Sequence, residues 1–258
     1  MGKTSNTGIG LALGGGAARG IAHIGVIKVL QEEQIPVRAV AGTSIGSIMG
    51  ALYCSGMGWE QMWEVASEIT WGELVQPTIS GMGLVKTDKL ERYIEKLLQE
   101  VTFQELTIPL QVVAFDIVRA RQHILNTGSV ARAVRASASI PGVFEPILEE
   151  TRMLVDGGVS DNLPVRVLTE DAAMPTVAVD LNPWSESEST PQNLVGITFR
   201  AFMVLMWNTS QEGRSAADCV IQPDIGHIAY HELDKREELL EAGEKAARNA
   251  LDEIRNLL

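Results

Sequence analysis

The chain has 258 residues, 45% hydrophobic and 21% charged, with a formal net charge of -12 at pH 7. That length holds a large core. The acidic balance excludes nucleic acid as a natural partner and gives no electrostatic pull toward anionic membranes. Cys54 and Cys219 are the only cysteines, too few for a disulfide framework. No apolar run is long enough to span a bilayer, and Met1 to Gly8 lacks the charged-then-apolar pattern of a signal peptide, so a cytoplasmic location is expected.

Ile9 to Leu13 reads as a short apolar strand that runs into Gly14-Gly15-Gly16-Ala17-Ala18-Arg19-Gly20. Ile21 to Glu33 has helical periodicity, Pro36 ends it, and Val37 to Ala41 begins a second strand. Strand, helix, strand implies a parallel pair with a right-handed crossover. The glycine loop does not have the G-x-G-x-x-G spacing of a dinucleotide site, and no Lys-Ser/Thr pair follows it as in a P-loop. Consecutive glycines also let backbone N–H groups converge on one point, as an oxyanion hole requires; a plain tight turn is the simpler reading. The next motif, Gly42-Thr43-Ser44-Ile45-Gly46, fits a nucleophile elbow between strand and helix. There the flanking glycines supply residues without bulk. As a bare pentapeptide it also fits a glycine-rich turn with Ser44 as helix N-cap. Parallel neighbouring strands would put both loops at strand C-terminal ends, where open α/β sheets carry their chemistry.

Ile45 to Tyr53 continues as a helix. Gly58 to Trp71, with Met57 just before it, carries Trp59, Met62, Trp63 and Trp71, a stripe that predicts core packing, with a lipid-facing mouth as the alternative. Gly81-Met82-Gly83 is a flexible break. Asp88 to Leu98 is an amphipathic helix with Thr87 as its expected cap. Leu110 to Phe115 and Gln122 to Leu125 read as strands, and Ser129 to Ser139 as an alanine-rich helix whose Arg132 and Arg135 are expected to be solvated or ion-paired. Met153 to Asp156 is a strand ending in a carboxylate, followed by Gly157 and Gly158; a turn that favours Asp-Gly competes with a site role. Asn162, Leu163 and Pro164 lead into a helix. Thr176 to Asp180 and Cys219 to Ile221 are further strands. Trp184 to Thr190 is a polar loop expected to be mobile, and with the Gly81 region it is a candidate gate. Gln192 to Gly213 and Glu232 to Leu258 are helical, the last packing on the outside. With no repeat or linker, residues 1–258 read as one domain.

A serine nucleophile needs a proton acceptor. The four histidines are His23, His123, His227 and His231. Ser44, Asp156 and His227 have the chain order of an α/β-hydrolase triad, but that fold builds several strands before its elbow, and here one strand and one helix precede Val37. His227 and His231 are four residues apart without the H-E-x-x-H pattern of a zinc site.

Gly14 to Gly20, Gly42 to Gly46 and Asp156-Gly157-Gly158 together resemble the patatin-like phospholipases, in particular bacterial members related to the neuropathy target esterase catalytic domain. His23-Ile24-Gly25-Val26, Ser139 to Phe144 and Val155 to Val165 add to the resemblance, which covers Ile9 to Asp180. It implies a three-layer α/β/α fold with a mostly parallel central sheet. It also implies a Ser44–Asp156 dyad without histidine, an oxyanion hole from the N–H groups near Gly15, Gly16 and Ala17, and Arg19 holding that loop in shape. Ala17 stands where many members have a fourth glycine, and alanine disfavours φ > 0, which bears on the last donor. The implied reaction is hydrolysis of a lipid or carboxylic ester through an acyl-enzyme, with no metal or organic cofactor. The resemblance leaves peripheral membrane contact open and does not set the oligomeric state. A Ser-Asp-His esterase and an adaptor that keeps the hydrolase fold remain the alternatives.

Overall fold

A computed structural model describes residues 8–74, 76–78, 80–169, 174–183 and 190–258. In chain order the strands are β1 (Ile9–Leu13), β2 (Val37–Thr43), β3 (Gln76–Pro77), β4 (Val85–Lys86), β5 (Leu110–Asp116), β6 (Arg121–Leu125), β7 (Ile147–Leu148), β8 (Met153–Asp156), β9 (Thr176–Val179) and β10 (Cys219–Ile221). The helices are α1 (Ala22–Glu32), α2 (Ile45–Cys54), α3 (Trp59–Glu68), α4 (Trp71–Leu74), α5 (Asp88–Leu98), α6 (Val130–Ser137), α7 (Val165–Thr169), α8 (Leu194–Ala216) and α9 (Arg236–Leu257).

The main sheet runs β10-β9-β1-β2-β5-β8-β7, with β6 also on β5. β10, β9, β1, β2 and β5 are mutually parallel, while β6 and β8 run antiparallel to β5. Period-two alternation assigns the two faces. Leu11, Leu13, Val40, Leu110, Val112, Val177 and Val179 point into the large core under α1, α2, α6 and α9. The residues between them, Ala12, Ala41, Val113 and Ala178, meet Leu163, Val165 and Leu168 around α7 on the other face. Small side chains there let the second helical layer approach closely: a Cβ at Gly213 of α8 would lie 2.1 Å from the Leu163 carbonyl oxygen. This is the expected three-layer arrangement with a mostly parallel sheet.

Helix α9 packs on the outside against α1, with its charged face exposed. A Cβ at Gly25 would meet the Leu240 carbonyl at 2.1 Å, and one at Gly243 the Ala22 carbonyl at 2.0 Å, so the two backbones touch where they cross. Glu232 to Leu258 is not one helix, because a 3-10 turn, Leu233–Lys235, precedes α9. The tryptophan-rich stretch divides into α3 and α4. Thr87 sits at the N-cap position of α5 but makes no cap bond; it is buried and accepts from Arg135 Nε at 3.1 Å. Arg135 also pairs with Asp88 and Glu91, as expected of an arginine outside the site. Of the polar loop, 184–189 lies outside the described residues.

Candidate active site

Strand β2 ends at Thr43 and α2 begins at Ile45, leaving Ser44 alone to reverse the chain. It does so at φ 53 and ψ -125, a conformation that costs a non-glycine residue about 1–3 kcal/mol. The flanking glycines are required by contact. A Cβ at Gly42 would lie 2.6 Å from the Gly46 carbonyl oxygen, and one at Gly46 would lie 2.1 Å from that of Leu13. The Ser44 N–H donates to Ser137 Oγ at 2.8 Å, and the Ser137 hydroxyl donates to the Val113 carbonyl at 2.6 Å. Ser137, on α6, thus pins the strained turn from below. Ser44 is therefore an elbow residue, and its side chain makes no cap bond to α2.

Asp156 reaches the same point from the opposite direction. Thr43 pairs with Val113 and Asp156 with Ala114, the next residue of β5. Since Val112 and Ala114 both pair with β6 on the far edge, β2 and β8 share the other edge and meet end to end. Sheet register alone thus brings the serine and the carboxylate together. Asp156 is fully buried. Its Oδ1 accepts the Gly158 N–H at 2.8 Å, while Oδ2 carries no hydrogen bond. Burial pushes the carboxyl up from 3.8 to about 7, against the pull of the Gly158 N–H and of the nearby Ser44 hydroxyl. The serine is close enough to influence the carboxyl but short of full hydrogen-bond geometry. Gly157 is needed because a Cβ there would lie 2.3 Å from the Val113 carbonyl oxygen.

The glycine loop closes over this pair. A Cβ at Gly15 would stand 3.2 Å from Ser44 Cβ. The Gly15 N–H is occupied, donating to the Asn162 carbonyl at 3.1 Å. The Gly15 carbonyl accepts from Asn182 Nδ2 at 2.6 Å, and the Ala18 N–H donates to the Tyr230 carbonyl at 3.0 Å. The N–H groups of Gly16 and Ala17 have no acceptor among the described residues. A trans peptide points its C=O and N–H in opposite directions. Holding the Gly15 carbonyl on Asn182 therefore turns the Gly16 N–H the other way. Ala17 adopts φ 48, the left-handed conformation that alanine disfavours. Arg19 is buried behind the loop, donating from Nε to the Ile228 carbonyl at 2.7 Å, with its guanidinium 3.9 Å from the Tyr230 ring centre.

Asn162, Asn182, Ser137 and Tyr230 were not legible as site residues. Asn182 lies just past the C-terminal end of β9, the position where open sheets place ligand contacts. That was the one available signal. Three of its hydrogen bonds, to Gly15, Tyr230 and Arg214, tie it to residues distant in sequence, and its N–H donates to Asp180 two residues back.

No histidine hydrogen-bonds to Ser44 or Asp156 among the described residues. His23 is fully buried and held near pKa 4 by desolvation. Its Nε2 faces the Gly14 carbonyl at 2.8 Å, so that nitrogen carries the proton and donates. His123 Nε2 meets Arg152 at 2.8 Å, and the exposed His227 pairs with Glu238 at 2.7 Å. His231 lines a cavity wall.

That cavity, about 200 Å³, extends from Ser44, Ile45 and Ala17 to Trp71, Tyr93 and Leu97. Met62 and Trp71 of the tryptophan-rich stretch belong to its wall, while Trp59 and Trp63 pack against the core. Ser44, Trp71, Thr87, Tyr93, Tyr230 and His231 bear the polar side-chain groups of an otherwise apolar lining.

The family model described as patatin-like phospholipase matches residues 11–169, which include the glycine loop, the elbow and Asp156. The chain belongs to the patatin-like phospholipase family. Among curated proteins, lysophospholipase NTE1 of Mycosarcoma maydis is 31% identical over 287 residues, covering 95% of this chain and 15% of that protein. An NTE family protein of Mycobacterium bovis is 34% identical over 182 residues, covering 69% of this chain and 50% of that protein. The chain therefore spans half or less of these relatives' length. Among solved structures, VipD from Legionella pneumophila superposes with a TM-score of 0.67 at 15% identity, over 95% of this chain and 67% of its own. The type III effector ExoU does so with a TM-score of 0.57 at 14% identity, over 96% of this chain and 53% of its own. At those identities the likeness is one of patatin-like fold.

Proposed function

We propose that the chain is a serine hydrolase of apolar acyl esters, phospholipids or lysophospholipids among them, acting through a Ser44–Asp156 dyad. The reading rests on one observation: the elbow serine stands against a fully buried, otherwise unengaged carboxylate oxygen and opens into a hydrocarbon-lined cavity. An ordinary aspartate is a weak base for a hydroxyl, but one held near pH 7 is matched to proton transfer at neutral pH. Ser44 Oγ attacks the ester carbonyl carbon as Asp156 takes its proton. The N–H groups of Gly16 and Ala17 receive the developing oxyanion. Collapse of the tetrahedral intermediate breaks the ester C–O bond, and the departing alcohol takes the proton back from Asp156. Water then repeats the sequence on the acyl-serine, with Asp156 again accepting the proton, and releases the carboxylic acid. The acyl chain lies in the cavity.

Hydrolysis of p-nitrophenyl esters from acetate to dodecanoate by wild type, Ser44→Ala and Asp156→Asn tests this. The expected result is wild-type preference for longer chains and loss of at least 10³-fold in both variants. Equal rates in wild type and Ser44→Ala would overturn the assignment, and an inert wild type would turn attention to a binding role.

A further inference from the structure

Helix α8 is apolar on its buried side and on its first turn. The buried side, with Phe202, Met203 and Met206, packs with Ile140 and Tyr230. The first turn carries Leu194, Val195 and Ile197, exposed by 78%, 48% and 56%. From Leu194 to Ser210 the one charged residue is Arg200, in a chain of net charge -12. Large apolar side chains on one exposed turn favour apolar surroundings, and the described residues do not cover them.

The exposed turn adjoins a loop that forms one wall of the cavity. A Cβ at Gly142 would touch the Thr198 methyl at 3.2 Å, which seats the start of α8 on this loop. The next residue, Val143, accepts the N–H groups of Leu84 and Val85 at 2.9 and 3.0 Å. Met82 and Leu84, each 47% exposed, therefore lie on the same loop's other flank. Val143, Phe144 and Phe199 line the cavity that reaches Ser44. Two exposed apolar segments thus flank one wall of the cavity.

We propose that Leu194, Val195 and Ile197, with Met82 and Leu84, dock the protein on a lipid surface, and that the cavity opens toward the acyl chains there. This rests on the reading of the cavity as an acyl site. The patch continues the hydrocarbon wall of the cavity through Val143, Phe144 and Phe199, and a lipid surface is the occupant that supplies acyl chains to it. The chain's net negative charge gives no attraction to anionic headgroups, so the contact is apolar, suits electrically neutral bilayers and is insensitive to salt.

The test is sedimentation with phosphatidylcholine vesicles, in a Ser44→Ala background so that the lipid is not consumed, paired with p-nitrophenyl butyrate hydrolysis in the Ser44 protein. Ser44→Ala should sediment equally at low and high salt. Leu194→Glu/Ile197→Glu and Met82→Glu/Leu84→Glu should each weaken vesicle binding at least tenfold, since several large side chains lose a lipid environment. Both pairs should keep butyrate hydrolysis within twofold of wild type. Unchanged sedimentation of the variants overturns the proposal. So does absence of vesicle binding, or a dimer in size-exclusion chromatography that the substitutions dissociate. Vesicle binding by a protein that hydrolyses no ester refutes the catalytic reading instead, and the two failures are distinguishable.

Discussion

Replacing Asp156 by asparagine should raise stability at alkaline pH while it abolishes hydrolysis. The buried carboxyl titrates at about 7 in the folded chain against 3.8 for an ordinary aspartate. Between those values the folded state holds a proton that the unfolded state has released, so stability falls as pH rises through this window. Roughly three pH units at about 1.4 kcal/mol each give a deficit of about 4 kcal/mol, complete above pH 7 and absent below pH 4. Asparagine keeps an oxygen for the Gly158 N–H and carries no titrating group. The difference in unfolding free energy between Asp156→Asn and wild type, from urea melts at matched pH between 4 and 8.5, should therefore grow by about 4 kcal/mol. Any constant offset from the amide itself drops out of that slope. A pH-independent difference would refute the buried, charge-disfavoured carboxylate and with it the basis for its use as a base near neutrality.

Asn182→Ala frees the Gly15 carbonyl and should lower kcat about 10- to 100-fold with little change in KM, short of the 10²–10³ expected when an oxyanion donor is itself removed; Asn182→Asp, which has no N–H for Gly15, should not restore it. Ala17→Gly relieves the left-handed alanine and should stabilise by about 0.5–1 kcal/mol, with ester hydrolysis within twofold, because the backbone N–H is retained. Leu90→Trp takes space from the cavity wall and should lower kcat/KM for dodecanoate about tenfold or more while leaving acetate unchanged.

The central strands were legible because each is a short apolar run bounded by glycine, proline or a polar turn, and β1, β8 and β10 fall where the pattern puts them. Ser44 and Asp156 could be named from motifs because each needs glycines beside it for steric reasons that act locally. Their meeting could not be read the same way. It depends on β2 and β8 sharing one edge of β5, a register set by long-range pairing. Local reasoning also gave incomplete donors: Gly15 looks like an oxyanion residue until Asn162, far along the chain, takes its N–H. Alanine's aversion to positive φ is a propensity, and at Ala17 the surrounding contacts override it. The two-residue strands β3, β4 and β7 carry no periodicity to detect. His23 stands out in the sequence as one of four candidate bases, and only its burial against Gly14 shows it to be part of the loop's support.

A pH–rate profile alone does not separate the dyad from an imidazole base, since both would titrate near neutrality. The most direct measurement is kcat/KM for p-nitrophenyl butyrate in a histidine-free protein, with His23→Gln keeping an N–H for the Gly14 carbonyl and His123, His227 and His231 replaced by alanine. The dyad predicts activity within about tenfold of wild type and a rate that still rises through pH 7. Loss of activity to the level of Ser44→Ala, in a protein that remains folded, would contradict it.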